Sequence, residues 1–291
     1  MRKLCLRTRS SLAFASVFAA GLSLSASAET VRQAAGPDAA AIQSELDSFR
    51  ADLGALNPNV PGSFGAGRRE INWDAVPDSA SSPNAFPGTF FNGTTTGRAR
   101  GIEFLTPGAG FEVSADNDNP TGTPADFAHI DPSYADNFAA FSPQRLFAAI
   151  GSNVTEVRFF IPGTTTPTTT RGFGAVFSDV DLDGTTSIEL YDATGELLYE
   201  GAAPAAGIGD QTFSFLGVSF DEAIVARVLV FSGTAALGAG VLDEPGAGAD
   251  LVVMDDFVYG EPVPEPASLA LLSVAGIFAG RRICRLRSEK T

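Results

Sequence analysis

The chain has 291 residues, with 19 Lys or Arg against 34 Asp or Glu, a single histidine and two cysteines. Nine of the basic residues, but only Glu289 among the acids, lie in residues 1–28 and 281–291, so the segment between them carries a formal charge of −23. Such a surface repels nucleic acid and anionic headgroups and attracts cations, and one histidine without an internal cysteine excludes the usual zinc ligand sets and Cys-His catalysis.

The chain begins with an export pattern. Arg2, Lys3, Arg7 and Arg9 form a basic start, Leu12 to Leu24 is small and apolar, and Ala26-Ser27-Ala28 supplies a small-x-small cleavage site before Glu29. A removed signal peptide is therefore predicted over residues 1–28. Cys5 leaves with it and Cys284 lies in the basic tail, so the exported part has no disulfide and must be held by packing or bound ions. A helix follows. Pro37 and Asp38 open it, Ile42, Leu46, Phe49 and Leu53 recur on one face, and Gly54 with Pro58 closes it. Residues 29–58 read as a helical spacer, packed on the domain or standing free of it.

From 59 to 88 the chain is rich in Pro, Gly, Ser and Asn, interrupted by Arg68-Arg69-Glu70-Ile71-Asn72-Trp73-Asp74. Strands are then predicted over 99–105, 110–115, 154–161, 172–178, 185–191, 196–199, 211–220, 224–231 and 251–259. In the third, Val157, Phe159 and Ile161 share a face and Arg158 points away. Asp192-Ala193-Thr194-Gly195 marks a hairpin turn. Many short strands without helical periods between them predict an all-β fold over residues 59–261, a jelly-roll-like antiparallel β-sandwich. Two stretches read as exposed loops: the Thr-rich 162–170, a polar connector or an acceptor of O-linked sugar, and 232–250, rich in Gly and Pro.

The strongest site candidate is Asp179-Val180-Asp181-Leu182-Asp183-Gly184. Carboxylates on alternate residues before a turn glycine match the first half of a calcium loop, because Ca²⁺ takes several hard oxygen ligands from a tight turn. An EF-hand is excluded by Leu190 at the twelfth position and by strand-like flanks. What remains is a strand-borne calcium loop. Its ligands would be Asp179, Asp181 and Asp183, completed by the Thr185 carbonyl or a distant carboxylate; the other reading is a solvated acidic turn. Asp255 and Asp256 point to opposite faces of a strand, so one of them is buried and needs a partner: a cation, an arginine such as Arg227, or backbone N–H groups. Trp73, Phe90, Phe91 and Tyr134 sit in loop-like sequence. Phe90 and Phe91 read as core, and Trp73 is the candidate carbohydrate-stacking residue. Catalysis has little to work with: His129 has no nucleophile motif beside it and no Gly-x-Ser-x-Gly elbow occurs.

At the C-terminus, Val263-Pro264-Glu265-Pro266 leads into the apolar run Ala267 to Gly280 and then into Arg281-Arg282-Ile283-Cys284-Arg285-Leu286-Arg287. The fourteen apolar residues fall short of the ~20 of a stable spanning helix. The basic tail stays cytoplasmic by the positive-inside rule. In that order, the three elements over residues 262–291 resemble the PEP-CTERM sorting signal of bacterial envelope proteins. Gly172 to Asp181, Leu216 to Phe220 and Val253 to Gly260 also resemble a β-sandwich domain common in proteins bearing that signal. The resemblance implies an exosortase-type processing enzyme as partner, transient or lasting single-pass contact with the inner membrane, and delivery to the cell envelope or extracellular matrix. It implies no catalytic activity. The expected function is thus that of a non-enzymatic, exported surface protein with structural Ca²⁺. The alternative is a carbohydrate-binding module on extracellular polysaccharide, and in neither case is nucleic acid a partner.

Overall fold

Phe173, Ala175 and Phe177 alternate with Gly174, Val176 and Ser178, and this period of two places one set between two sheets and the other on an outer face. A computed structural model describes residues 28–264; the expected signal peptide up to Ser27 and the sorting segment from Glu265 onward lie outside the described residues. In chain order the elements are β1 (Glu29–Gly36), α1 (Ala39–Leu53), β2 (Arg68–Ile71), β3 (Ile102–Leu105), β4 (Gly110–Val113), α2 (Tyr134–Asn137), β5 (Phe147–Ile150), β6 (Val154–Phe159), β7 (Gly172–Ser178), β8 (Ser187–Tyr191), β9 (Leu197–Ala202), β10 (Phe213–Phe220), β11 (Arg227–Phe231) and β12 (Val253–Gly260).

Two antiparallel sheets face each other. The first runs β1-β10-β7-β12-β5-β4, and β2 joins the β5 side of β12 further along that strand; the second runs β3-β6-β11-β8-β9. Phe177, Leu216 and Val218 of the first sheet meet Val157, Ile188 and Val228 of the second in the main core. The second sheet leaves its other face to water, which gives β6 its alternation of buried Val157 and Phe159 with exposed Arg158. The first sheet is covered on both faces. Its outer side packs against Ile42, Leu46, Phe49 and Leu53 of α1, and elsewhere against Phe127, Tyr134 and Phe138. That double cover is why β7, β10 and β12 are buried along their whole length.

The segment 29–58 is therefore part of the sandwich and not a spacer. All eight residues of β1 pair with β10, and α1 lies on the sheet beside them. As an edge strand with half of its residues exposed, β1 lacks the apolar alternation by which a strand is recognised. Asp38 caps α1 by accepting a hydrogen bond from the Ala41 amide at 3.1 Å. Gly54 ends the helix at φ 98° and donates its amide to Arg50 and Ala51. Between these ends Phe49 rests on two cross-strand partners, Gly174 and Gly217. A Cβ on either glycine would stand 2.8 Å from the Phe49 ring, so the ring occupies the space that side chains would take. Gly217→Ala should cost about 1–3 kcal/mol by forcing the helix off the sheet, read as an earlier urea midpoint; an unchanged midpoint would mean that Phe49 re-seats freely.

Each of the nine predicted strands overlaps an observed one, and the Asp192–Gly195 turn does join β8 to β9. β5 escaped because Phe147-Ala148-Ala149-Ile150 is nearly uniformly apolar, as a strand covered on both faces is. The Thr-rich loop is only half exposed. Thr164 to Thr166 face water, whereas Thr168, Thr169 and Thr170 are buried, with Thr169 and Thr170 bridged to Val263 and Val225.

The end of β12 is clasped by a buried ion pair. Arg69 and Glu261, both with no exposed side-chain surface, form two parallel bonds of 2.7 and 2.9 Å. The guanidinium also donates to the Ala99 and Gly62 carbonyls, and the carboxylate accepts from Asn57 and the Phe64 amide. Two residues further, Val263 exchanges both backbone hydrogen bonds with Thr169, at 3.2 and 2.9 Å.

Candidate metal centre

Two connections converge at one end of the sandwich. The turn after β7 brings Asp181, and the long connection from β11 to β12 brings Asp243 and Asp250, with one carboxylate oxygen from each lying within 4.8 Å of the others. Asp250, placed just before β12, reaches back to the turn: its Oδ1 accepts from the Asp181 amide at 3.2 Å and its Oδ2 from the Leu182 amide at 3.2 Å and from the Thr185 hydroxyl. The Gly209 amide donates to Asp181 Oδ1 at 3.1 Å, and the Leu251 amide to Asp243 Oδ1 at 2.7 Å. Backbone amides thus fix the carboxylates in a geometry that brings like charges together. At an effective dielectric of about 20, two unit charges at that spacing repel by about 3 kcal/mol before further screening.

Asp179 opens the same turn, two residues before Asp181. Its backbone sits at φ 75° as the chain leaves β7, a left-handed conformation that Asp tolerates better than most residues. The side chain is fully buried, and neither carboxylate oxygen has a hydrogen-bond partner. Burial first, then the charges of Asp243, Asp181, Asp210 and Asp250, push its carboxyl up to about 9. Asp243 is pushed up to about 6, again by burial and against the Leu251 hydrogen bond. Asp181 is raised for the same reason, partly offset by Gly209.

Of the predicted ligand set, Asp181 belongs to the converging group and Asp179 is buried within its field. Asp183 is exposed and is not one of the three converging carboxylates. Thr185 meets the group through its hydroxyl, which holds Asp250. Asp243 and Asp250 are the residues that the linear pattern missed. They follow Asp181 by more than sixty positions in a Gly- and Pro-rich loop, and nothing in their local sequence separates them from other surface acids.

The Asp255–Asp256 pair proves different from expectation. β12 carries a register shift between Met254 and Phe257, and both of these side chains reach the main core, which strict alternation would forbid. The bulge buries both carboxylates. Asp255 accepts from the Phe141 and Ser142 amides at 2.6 and 3.2 Å; Asp256 accepts from the Ser142 hydroxyl at 2.7 Å and from Arg50 at 3.2 Å. Burial, and then the charge of Asp256, hold Asp255 well above the usual carboxylate range. Arg227 is elsewhere, over the Tyr191 ring in the second sheet. With donors from its own chain, this pair needs no cation.

Trp73 is overturned as a sugar platform. It is 1% exposed, stacked on Phe147 at 4.0 Å with ring planes 4° apart, and its indole N–H donates to the Asp255 carbonyl at 2.8 Å. Phe90 and Phe91 are core as expected, and Tyr134 is buried with its hydroxyl bonded to the Gly238–Val241 turn. His129 lies 3.0 Å from Glu112, whose same oxygen accepts from the Ser82 hydroxyl. That hydroxyl is directed at the carboxylate, not at the imidazole, so the trio is no nucleophile–base relay. No protein-family model and no curated protein matches the chain.

Proposed function

We propose that the protein is an exported, non-catalytic β-sandwich of the bacterial cell envelope or extracellular matrix. In this reading it is delivered by the signal peptide over residues 1–28 and sorted through the PEP-CTERM-like segment over 262–291. The supporting observation is the pairing at the two ends of the described residues. β1 runs from Glu29, the residue after the expected cleavage point, and Val263 makes the most C-terminal backbone pairing among the described residues, with Thr169. Processing after Ala28, or beyond Pro264, would therefore cut no strand of the described sandwich.

The wiring supports a jelly roll. Strands β5-β12-β7-β10 lie opposite β6-β11-β8-β9, and six of the seven steps along the chain from β5 to β12 change sheet. An exosortase-type enzyme would be the processing partner and the inner membrane a passing host. Among the described residues no helix is long and apolar enough to cross a membrane, so this reading assigns any membrane contact to the terminal segments.

The test is truncation after Pro264 in the native host, which keeps the Val263–Thr169 bridge. Most of the protein should then move from the cell surface to the periplasm or medium, measured by fractionation and immunoblot. Unchanged surface retention would sink the sorting role.

A further inference from the structure

We propose that Asp179, Asp181, Asp243 and Asp250 form a binding site for one Ca²⁺ ion that ties the connection between β11 and β12 to the turn after β7. This goes beyond the export reading and stands without it.

Two independent observations carry it. The first is convergence. Asp181, Asp243 and Asp250 each place an oxygen within 4.8 Å of the others, close enough to meet on one Ca²⁺ ion, whose opposed oxygens stand about 4.8 Å apart when bound at about 2.4 Å. Mg²⁺ usually keeps several of its waters and is seldom held in an all-protein carboxylate cage. The second is Asp179. A carboxylate buried without any donor is not normally tolerated in a folded protein, yet both of its oxygens are buried without a partner. It stands directly after β7 and two residues before Asp181, on the same turn. None of the four is in an ion pair among the described residues.

The hydrogen bonds already present leave room for a metal. The Gly209 and Leu251 amides each hold Oδ1 of their carboxylate, at Asp181 and Asp243, which leaves the second oxygen of each free of protein donors among the described residues. The amides act as outer supports that orient the ligands. The ion supplies the positive charge that the chain itself does not bring. It also supplies a cross-link, since the ligands come from segments far apart in sequence and the exported part contains no cysteine.

The experiment uses the full chain in mild detergent, stripped with chelator and then titrated with CaCl₂ or MgCl₂, by calorimetry and thermal melting. Calcium should give a one-site heat and a rise in melting temperature of several degrees, and magnesium a clearly smaller response. Asp243→Asn, on a half-buried loop position and still able to accept from Leu251, should fold and bind at least tenfold more weakly. Asp179→Asn should melt no lower than the parent in chelator, because the amide keeps the shape of the side chain and carries no charge to bury, but should lose the calcium response. Asp183→Asn should bind like the parent. In addition, calcium should slow proteolysis within residues 232–250. The proposal is overturned if the parent shows no calcium heat or shift, if magnesium acts equally, or if Asp179→Asn and Asp243→Asn both respond like the parent. It is also overturned if Asp183→Asn alone loses the response, which would return the site to the linear loop. All these readouts are independent of where the protein is sorted.

Discussion

Arg69→Met is expected to destabilise the protein by about 3–5 kcal/mol, because it leaves Glu261 charged and buried with its main partner gone. The two side chains have no exposed surface and share two short bonds. What is lost is more than a Coulombic contact: the Ala99 and Gly62 carbonyls lose a donor as well. The double variant Arg69→Met, Glu261→Met should recover much of that loss, since an apolar pair of similar volume has no charge to desolvate. Urea unfolding of the three proteins gives the comparison. A single variant as stable as the parent would show that water reaches Glu261 once the guanidinium is removed.

Trp73→Ala should cost about 3–5 kcal/mol, the usual range for deleting a large buried aromatic. Phe86, Phe91, Phe104 and Phe257 stand 5.3–5.8 Å from the indole at inclined angles, and Phe147 stacks on it. The cavity would thus open in the most aromatic part of the core, with the Asp255 carbonyl losing its donor. Trp73→Phe should cost less, since it keeps most of the packing and loses only that hydrogen bond. Trp73 is the only tryptophan, so its emission should be blue-shifted in the native state and move red on unfolding. Emission typical of exposed indole in the native protein would contradict the buried position and reopen the question of a sugar platform.

Trp73 also shows where sequence reading stops. The surrounding Asn72, Asp74 and Pro77 read as loop, and the residue is indeed outside a strand, with φ 65°. Loop sequence does not mean exposed side chain: the backbone stays at the rim while the indole reaches inward. The runs around β7, β8 and β10 were legible because β-branched and aromatic residues bounded by turn residues are a local property. The bulge at Asp255 was not, since one extra residue reverses the facing of everything after it and leaves no compositional trace. At the candidate metal centre, the turn that supplies Asp179 and Asp181 was found from alternating acids and Gly184. Asp243 and Asp250 arrive through the strand order, which no local pattern encodes.

The pairing of β1 with β10 has a kinetic consequence. Glu29 to Gly36 find their partners only when Phe213 to Phe220 exist, and β12, paired on both sides within the first sheet, is the last strand among the described residues. Closure of that sheet must therefore wait for nearly the whole domain to be available, and such distant contacts make folding slow. For a chain exported as proposed, the delay is useful. A first sheet that needs its late strands would leave the emerging polypeptide open for passage through a translocation pore, with closure expected once β12 arrives on the far side.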